Sequence, residues 1–274
     1  MEKILVIINA QKPDNATIEF ACRIAGFAET RLTGLFIENL YSSHTSNGKS
    51  NRSYFSIPEE ATAALATDTE QAVFLFREAC QRMEIETEVF VQAGEPIQKV
   101  IDESRYVDLL IMSPETFYDN KTEQIPSHFV KQVLAHAECP VFLAPQKFEE
   151  ADEIVFCYDG SPSSVFAIKL FTYLLPQFYN KKVILLEVNK SGSEIFNEGH
   201  RRTMEWLRAH YHWVYYQSLK GNVKDELISF FFMKRKKIIV MGAYGRTMIS
   251  NLLKSSTADA LLRSVDLPLF ITHH

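Results

Sequence analysis

Landmarks recur at a nearly fixed interval along this chain. Gly94 and Gly221 stand 127 residues apart (221 − 94), Met112 and Met241 stand 129 apart (241 − 112), and Pro140 and Pro268 stand 128 apart (268 − 140). Between them, short apolar runs alternate with amphipathic segments in the same order each time. A duplicated pattern of this kind leaves few folds open, because each copy must bury its own apolar strands beneath its own helices.

In the first copy, residues 3–9, 31–37, 85–92, 107–112 and 140–144 read as strands. Helices are expected over 15–28, 61–83 and 127–137, with another entered at Gly94-Glu95-Pro96 and ending near Arg105. The second copy repeats this, with strands at 154–158, 181–188, 213–218, 237–241 and 268–272 and helices over 163–175, 194–210, 224–233 and 256–264. Five strands alternating with four helices, twice over, predict two tandem doubly wound α/β domains with largely parallel sheets, 1–146 and 152–274, joined by a polar stretch. Asn9 and Asp159 are 150 apart (159 − 9), so the first copy is the longer one. Its polar segment 38–57, rich in Ser, Asn and His, reads as an exposed loop and takes up much of the difference.

Composition narrows the partners. A formal charge of -5 and a pI near 5.9 supply no electrostatic footprint for a nucleic-acid backbone. The basic run 234–237 falls where a helix should end, and cations there complement the helix dipole. The longest strongly apolar stretch, 227–233, is too short to span a bilayer. The start, 1–9, reads as a first strand rather than a signal peptide, so a cytoplasmic protein is expected. Cys22, Cys80, Cys139 and Cys157 lie in apolar segments without C-x-x-C spacing and are expected to be buried free thiols.

Three strand ends of the second copy are candidates for a site: Tyr158-Asp159-Gly160-Ser161, Glu187-Val188-Asn189 and Met241-Gly242-Ala243-Tyr244-Gly245. Ligands of open parallel sheets sit beyond the carboxyl ends of the strands, near the reversal of strand order. Glycines at 242 and 245 can approach a phosphate and take positive φ at little cost. Amides and hydroxyls of Ser255, Ser256 and Thr257, at a helix start, could donate to its oxygens, with Arg246 and Lys254 as candidate charges. Glycines that turn a chain and serines that cap a helix also occur in proteins that bind nothing.

The stretch Gly242-x2-Gly245-x9-Ser255-Ser256 resembles the Gly-x2-Gly-x9-Gly-[Ser/Thr] signature of the universal stress proteins. The likeness extends over nearly all of the chain, through Asp159-Gly160-Ser161, Asp108-Leu109-Leu110-Ile111-Met112 and the closing strands Cys139-Pro140-Val141-Phe142-Leu143 and Leu267-Pro268-Leu269-Phe270-Ile271. What this resemblance implies is an adenine nucleotide alpha hydrolase-like fold, with strand order 3-2-1-4-5 in each domain and fifth strands meeting edge to edge at a domain or dimer interface. It also implies a stress-response role and, in members that bind ATP, a site that maps here onto Asp159 and Val188 for the adenosine and onto Met241, Gly242, Gly245, Ser255, Ser256 and Thr257 for the phosphates. Mg²⁺ would accompany ATP.

Two departures from the family pattern matter. Ser255 stands where the family has glycine, which at a positive φ costs roughly 1 kcal/mol. In the first copy Asn9 replaces the acid, and the loop after Met112, Ser113-Pro114-Glu115-Thr116-Phe117-Tyr118-Asp119, has no glycine and two carboxylates. That copy is expected not to bind ATP.

Other motifs carry less. His210 and His212 straddle a helix end and a strand start, and Ser161 lacks both a nucleophile elbow and a base. Trp206, Tyr211, Trp213, Tyr215 and Tyr216 read as core and interface. With no placed general base or metal carboxylates, the chain is expected to bind or regulate rather than catalyse. The alternatives are an interaction protein without nucleotide, acting through dimerisation and surface loops, and an enzyme that activates a carboxylate with ATP.

Overall fold

Strands β4 (Leu109–Met112) and β5 (Val141–Leu143) are buried at every residue, and β1 (Lys3–Ile8) at every residue but its first. Such strands need cover on both faces. The computed structural model, which describes residues 1–39, 59–118, 124–189, 197–243 and 257–273, provides it with helices on either side of a single sheet. The remaining strands are β2 (Arg31–Asn39), β3 (Thr87–Gly94), β6 (Glu153–Tyr158), β7 (Lys182–Asn189), β8 (Trp213–Lys220), β9 (Lys237–Ala243) and β10 (Leu269–His273). The helices are α1 (Asn15–Ala28), α2 (Glu59–Arg82), α3 (Pro96–Ser104), α4 (His128–His136), α5 (Pro162–Leu174), α6 (Glu198–Arg208), α7 (Val223–Phe231) and α8 (Thr257–Ser264).

Strand order is β3-β2-β1-β4-β5-β10-β9-β6-β7-β8. Each half therefore has the expected 3-2-1-4-5 order, and every neighbouring pair is parallel except the central one. There β5 and β10 run antiparallel, with Val141 opposite Ile271, Phe142 opposite Phe270 and Leu143 opposite Leu269. Pairing these two edges satisfies backbone groups that each half alone would leave open. Both core layers cross this seam. One lies under α1, α2, α5 and α6 and the other under α3, α4, α7 and α8.

The helix ends follow local chemistry. Asp14 caps α1 through the Ala16 amide at 3.0 Å, and Ser127 caps α4 through the Val130 amide at 3.1 Å. Ser161 caps α5, and Pro162 follows at the first helical position, where its missing N–H costs nothing. A 3-10 turn at Pro176–Asn180, which the sequence pattern does not announce, follows where Pro176 ends α5. Residues 38 and 39 close β2, while 40–58, most of the expected loop, lie outside the described residues.

The basic run 234–237 has a different role from the expected one. Helix α7 ends at Phe231, before the cations begin. Arg235 meets Glu149 at 3.0 Å, Lys236 meets Asp152 at 3.7 Å, and Lys237 pairs with Glu153. These residues therefore neutralise the acidic strip that leads into β6 rather than the helix end.

A second link across the seam joins α4 to α8, where Lys131 reaches the buried carboxylate of Asp259 at 3.3 Å. Removing one partner leaves the other poorly solvated. Asp259→Ala is expected to cost about 3 kcal/mol, measurable by urea unfolding.

Candidate functional site

Strand β6 lies between β7 and β9, at the reversal of strand order in the second half. Tyr158 pairs with Glu187 in the β6–β7 register, so one further step sets Asp159 level with Val188. On the other side, the register running from Glu153 opposite Lys237 to Phe156 opposite Val240 brings Tyr158 level with Gly242 when continued. Asp159, Val188, Met241 and Gly242 thus stand along one carboxyl edge of the sheet, within three adjacent strands. Thr257 opens α8, and Gly245, Ser255 and Ser256 lie outside the described residues, as do Arg246 and Lys254.

Asp159 and Gly160 are exposed. The Asp159 Oδ1 accepts from the Ser161 amide at 2.9 Å, and Gly160 takes φ +77° to make that turn. The Asp159 charge also acts on its neighbour two residues back: the Cys157 thiol is pushed up to about 12, chiefly by burial and then by this carboxylate.

Gly242 does not take the positive φ that the sequence allowed it. It lies within β9 and is not among the positive-φ glycines, which in the described residues are Gly94, Gly160 and Gly221. Its constraint is contact, because a Cβ there would stand 2.3 Å from the Ser163 carbonyl oxygen and 2.8 Å from the Ser164 nitrogen. The absent side chain lets the first turn of α5 seat against the end of β9, bringing that helix N-terminus to the crevice between β6 and β9.

Beside these residues is a polar cluster that the sequence reading missed. Glu187 Oε2 accepts from the Tyr216 hydroxyl at 2.6 Å and from Asn189 Nδ2 at 2.9 Å, and His200 Nε2 stands 3.0 Å from it. The Asn197 amide donates to His200 Nδ1 at 3.2 Å, which puts the ring proton on Nε2, facing the carboxylate. Tyr158 and Tyr216 pack edge-on to the His200 ring at 5.1 and 5.4 Å. This partly buried group ties the start of α6 to β6, β7 and β8. One acid inside the apolar run Val183-Ile184-Leu185-Leu186-Glu187-Val188 was the available signal.

The corresponding edge of the first half is filled by its own loop. Asn9 Nδ2 donates to the Phe117 carbonyl at 2.6 Å, the Tyr118 hydroxyl reaches the Ile8 carbonyl at 3.4 Å, and the Tyr118 ring packs on Phe129 at 4.9 Å. Burial raises the Tyr118 phenol well above its ordinary range. Lys12 lies over the Phe117 ring at 5.7 Å, and Glu115 accepts from Gln146 Nε2 at 2.6 Å. What remains is a cleft of about 290 Å³ lined in part by Asn9, Lys12, Glu115 and Phe117.

The other candidates separate. His210 stacks on Trp206 at 4.0 Å, whereas His212 packs edge-on to Tyr179 at 5.2 Å. Tyr211 is buried in the core, while Trp213 and Tyr215 are 59% and 49% exposed on the edge strand β8. Ser161 serves as the cap of α5.

No protein-family model and no curated protein matches the chain. Among solved structures it is similar to a universal stress protein from Archaeoglobus fulgidus, at 15% identity over 98% of both chains with a TM-score of 0.74. It is also similar to a functionally unknown protein from Pseudomonas aeruginosa, at 14% identity over 100% of this chain and 92% of that one with a TM-score of 0.60. The chain has the full-length, two-copy universal stress protein fold. Among the described residues no helix is long and apolar enough to cross a membrane.

Proposed function

We propose that the chain is a tandem universal stress protein that holds one adenine nucleotide, ATP or a close relative, in its second domain, 152–274, and works by binding or regulation in a cytoplasmic stress response. The observation that carries this reading is the asymmetry between the two halves. Asp159 is exposed at the switch point, level with Val188, whereas its counterpart Asn9 is bonded to the Phe117 carbonyl. In this reading Asp159 and Val188 face the adenosine, and Met241, Gly242, Gly245, Ser255, Ser256 and Thr257 surround the phosphates. A metal such as Mg²⁺ enters only with ATP. The first domain, 1–146, binds none.

Calorimetric titration with ATP tests it. Asp159→Ala is expected to weaken binding by about tenfold, the loss of one charge-assisted hydrogen bond. Ser255→Gly, which restores the glycine of the family pattern, is expected to tighten it by about fivefold, matching the roughly 1 kcal/mol that a serine costs wherever a positive φ is required. Absence of heat with the unmodified protein would end the nucleotide reading. The second reading, an interaction protein without nucleotide, is favoured by Trp213 and Tyr215 on the free edge of β8, where the positions 127 residues earlier are Glu86 and Glu88. It requires no ATP binding together with a homodimer or other assembly in light scattering that Trp213→Glu disperses.

A further inference from the structure

Two of the four cysteines meet inside the first half. Cys22 of α1 and Cys80 of α2 are both fully buried, and their sulfurs are 3.6 Å apart although 58 residues separate them in the chain. Ala21 and Ala25 on α1 and Ala72 and Ala79 on α2 belong to the same core cluster, and small side chains of this kind let two helices approach closely. Cys139 and Cys157 are the free thiols of other segments, with no comparable sulfur contact among the described residues.

The four thiols differ in chemistry as well as place. Either thiol can donate across the sulfur contact; with Cys22 as the donor the contact raises Cys22, with burial adding to the effect. The same contact lowers Cys80, against the effect of burial and with help from the Thr87 hydroxyl. Cys139 and Cys157 are each pushed up to about 12, chiefly by burial, and so stay protonated at neutral pH. Nucleophilic sulfur chemistry requires the thiolate, so Cys80 is the favoured one of the four. It sits in the last turn of α2, which ends at Arg82, beside the exposed Gln81 and Arg82. Opening of a terminal turn is the least costly local unfolding a helix undergoes, and it gives a small oxidant access.

We propose that Cys22 and Cys80 form a covalent modification site, a dithiol that a hydroperoxide converts to an intramolecular disulfide within the folded chain. The Cys80 thiolate attacks the distal oxygen of the hydroperoxide and breaks the O–O bond. The departing alkoxide takes up the proton Cys80 has released and leaves as the alcohol, while Cys80 becomes a sulfenic acid. The Cys22 sulfur then attacks the Cys80 sulfur, and the hydroxyl departs with the Cys22 proton as water. Two thiols and one hydroperoxide thus give one disulfide, one alcohol and one water, with two electrons passing from sulfur to oxygen. The sulfurs must close from 3.6 Å to about 2.0 Å. The product staples α1 to α2.

The test treats the full native chain with tert-butyl hydroperoxide, then unfolds it in iodoacetamide and digests it for mass spectrometry. A Cys22–Cys80 cross-linked peptide is expected, about 2 Da lighter than the two thiol peptides together, with Cys139 and Cys157 alkylated and all four thiols restored by dithiothreitol. The oxidised protein is expected to melt several degrees higher than the reduced one. In Cys22→Ala, dimedone is expected to label Cys80 as a sulfenic acid instead. Four alkylated cysteines after peroxide treatment, or a disulfide joining any other pair, would overturn the proposal.

Discussion

Phe142→Ala is expected to destabilise the whole chain by about 4 kcal/mol, in the range for deleting a fully buried aromatic ring. Phe142 lies in β5 at the centre of the ten-stranded sheet and is 0% exposed. Its ring meets Phe20 at 5.0 Å on one side of the seam and Phe270 at 5.6 Å and Phe171 at 6.4 Å on the other. Phe270 in turn meets Phe171 at 5.2 Å, so the aromatic core runs without a break from α1 to α5. Truncating Phe142 opens a cavity that neither half can close alone. Chemical denaturation followed by both tryptophan fluorescence and circular dichroism should show one shifted transition, because Trp206 and Trp213 report only on the second half. Two separate transitions in the unmodified protein would mean that the halves are stable independently and that the seam contributes little.

Gly242→Ala is expected to cost about 3 kcal/mol, the upper part of the range for overpacking. The added methyl group would stand 2.3 Å from a backbone oxygen, and a carbonyl at the start of a helix cannot swing aside as a side chain could. Either β9 or the first turn of α5 must move. Gly160 is the useful contrast. It needs φ +77°, but the nearest atom to an added Cβ is the Tyr158 hydroxyl at 3.9 Å, so Gly160→Ala should cost about 1 kcal/mol of backbone strain alone. Thermal unfolding of the two variants should rank them in that order. If Gly242→Ala were the milder change, the close approach of α5 to β9 would be wrong. One consequence concerns binding experiments: loss of nucleotide in a Gly242 variant would report disturbed packing as much as lost phosphate contact, which makes Asp159 and Ser255 the cleaner positions.

Much of the architecture was legible because it depends on period and spacing. The 127 residues between Gly94 and Gly221 (221 − 94) correspond to two glycines with φ +140° and +151°, one at the end of β3 and the other just after β8. The strand order and the edge-to-edge meeting of β5 and β10 follow the family resemblance. Tertiary contacts were less legible. Nothing local in the sequence says that Gly242 is constrained by Ser163, that Arg235 reaches back to Glu149, or that Cys22 lies against Cys80. Each depends on segments distant in the chain becoming neighbours. The Glu187 and His200 cluster was half visible, since an acid in an apolar strand asks for a partner, but that partner arrives from α6. The expectation that the first half binds no ATP rested on missing glycines and added carboxylates. The structure adds a feature the sequence did not show, with Asn9 and Tyr118 tying the loop down onto the strand end.

Native mass spectrometry of the intact chain with excess ATP and Mg²⁺ measures the stoichiometry on which the functional reading depends. One nucleotide per chain is expected, retained in a variant that blocks the first-half cleft and needing about tenfold more ATP for the same occupancy in Asp159→Ala. Two nucleotides per chain, or none at any concentration up to a millimolar, would contradict it.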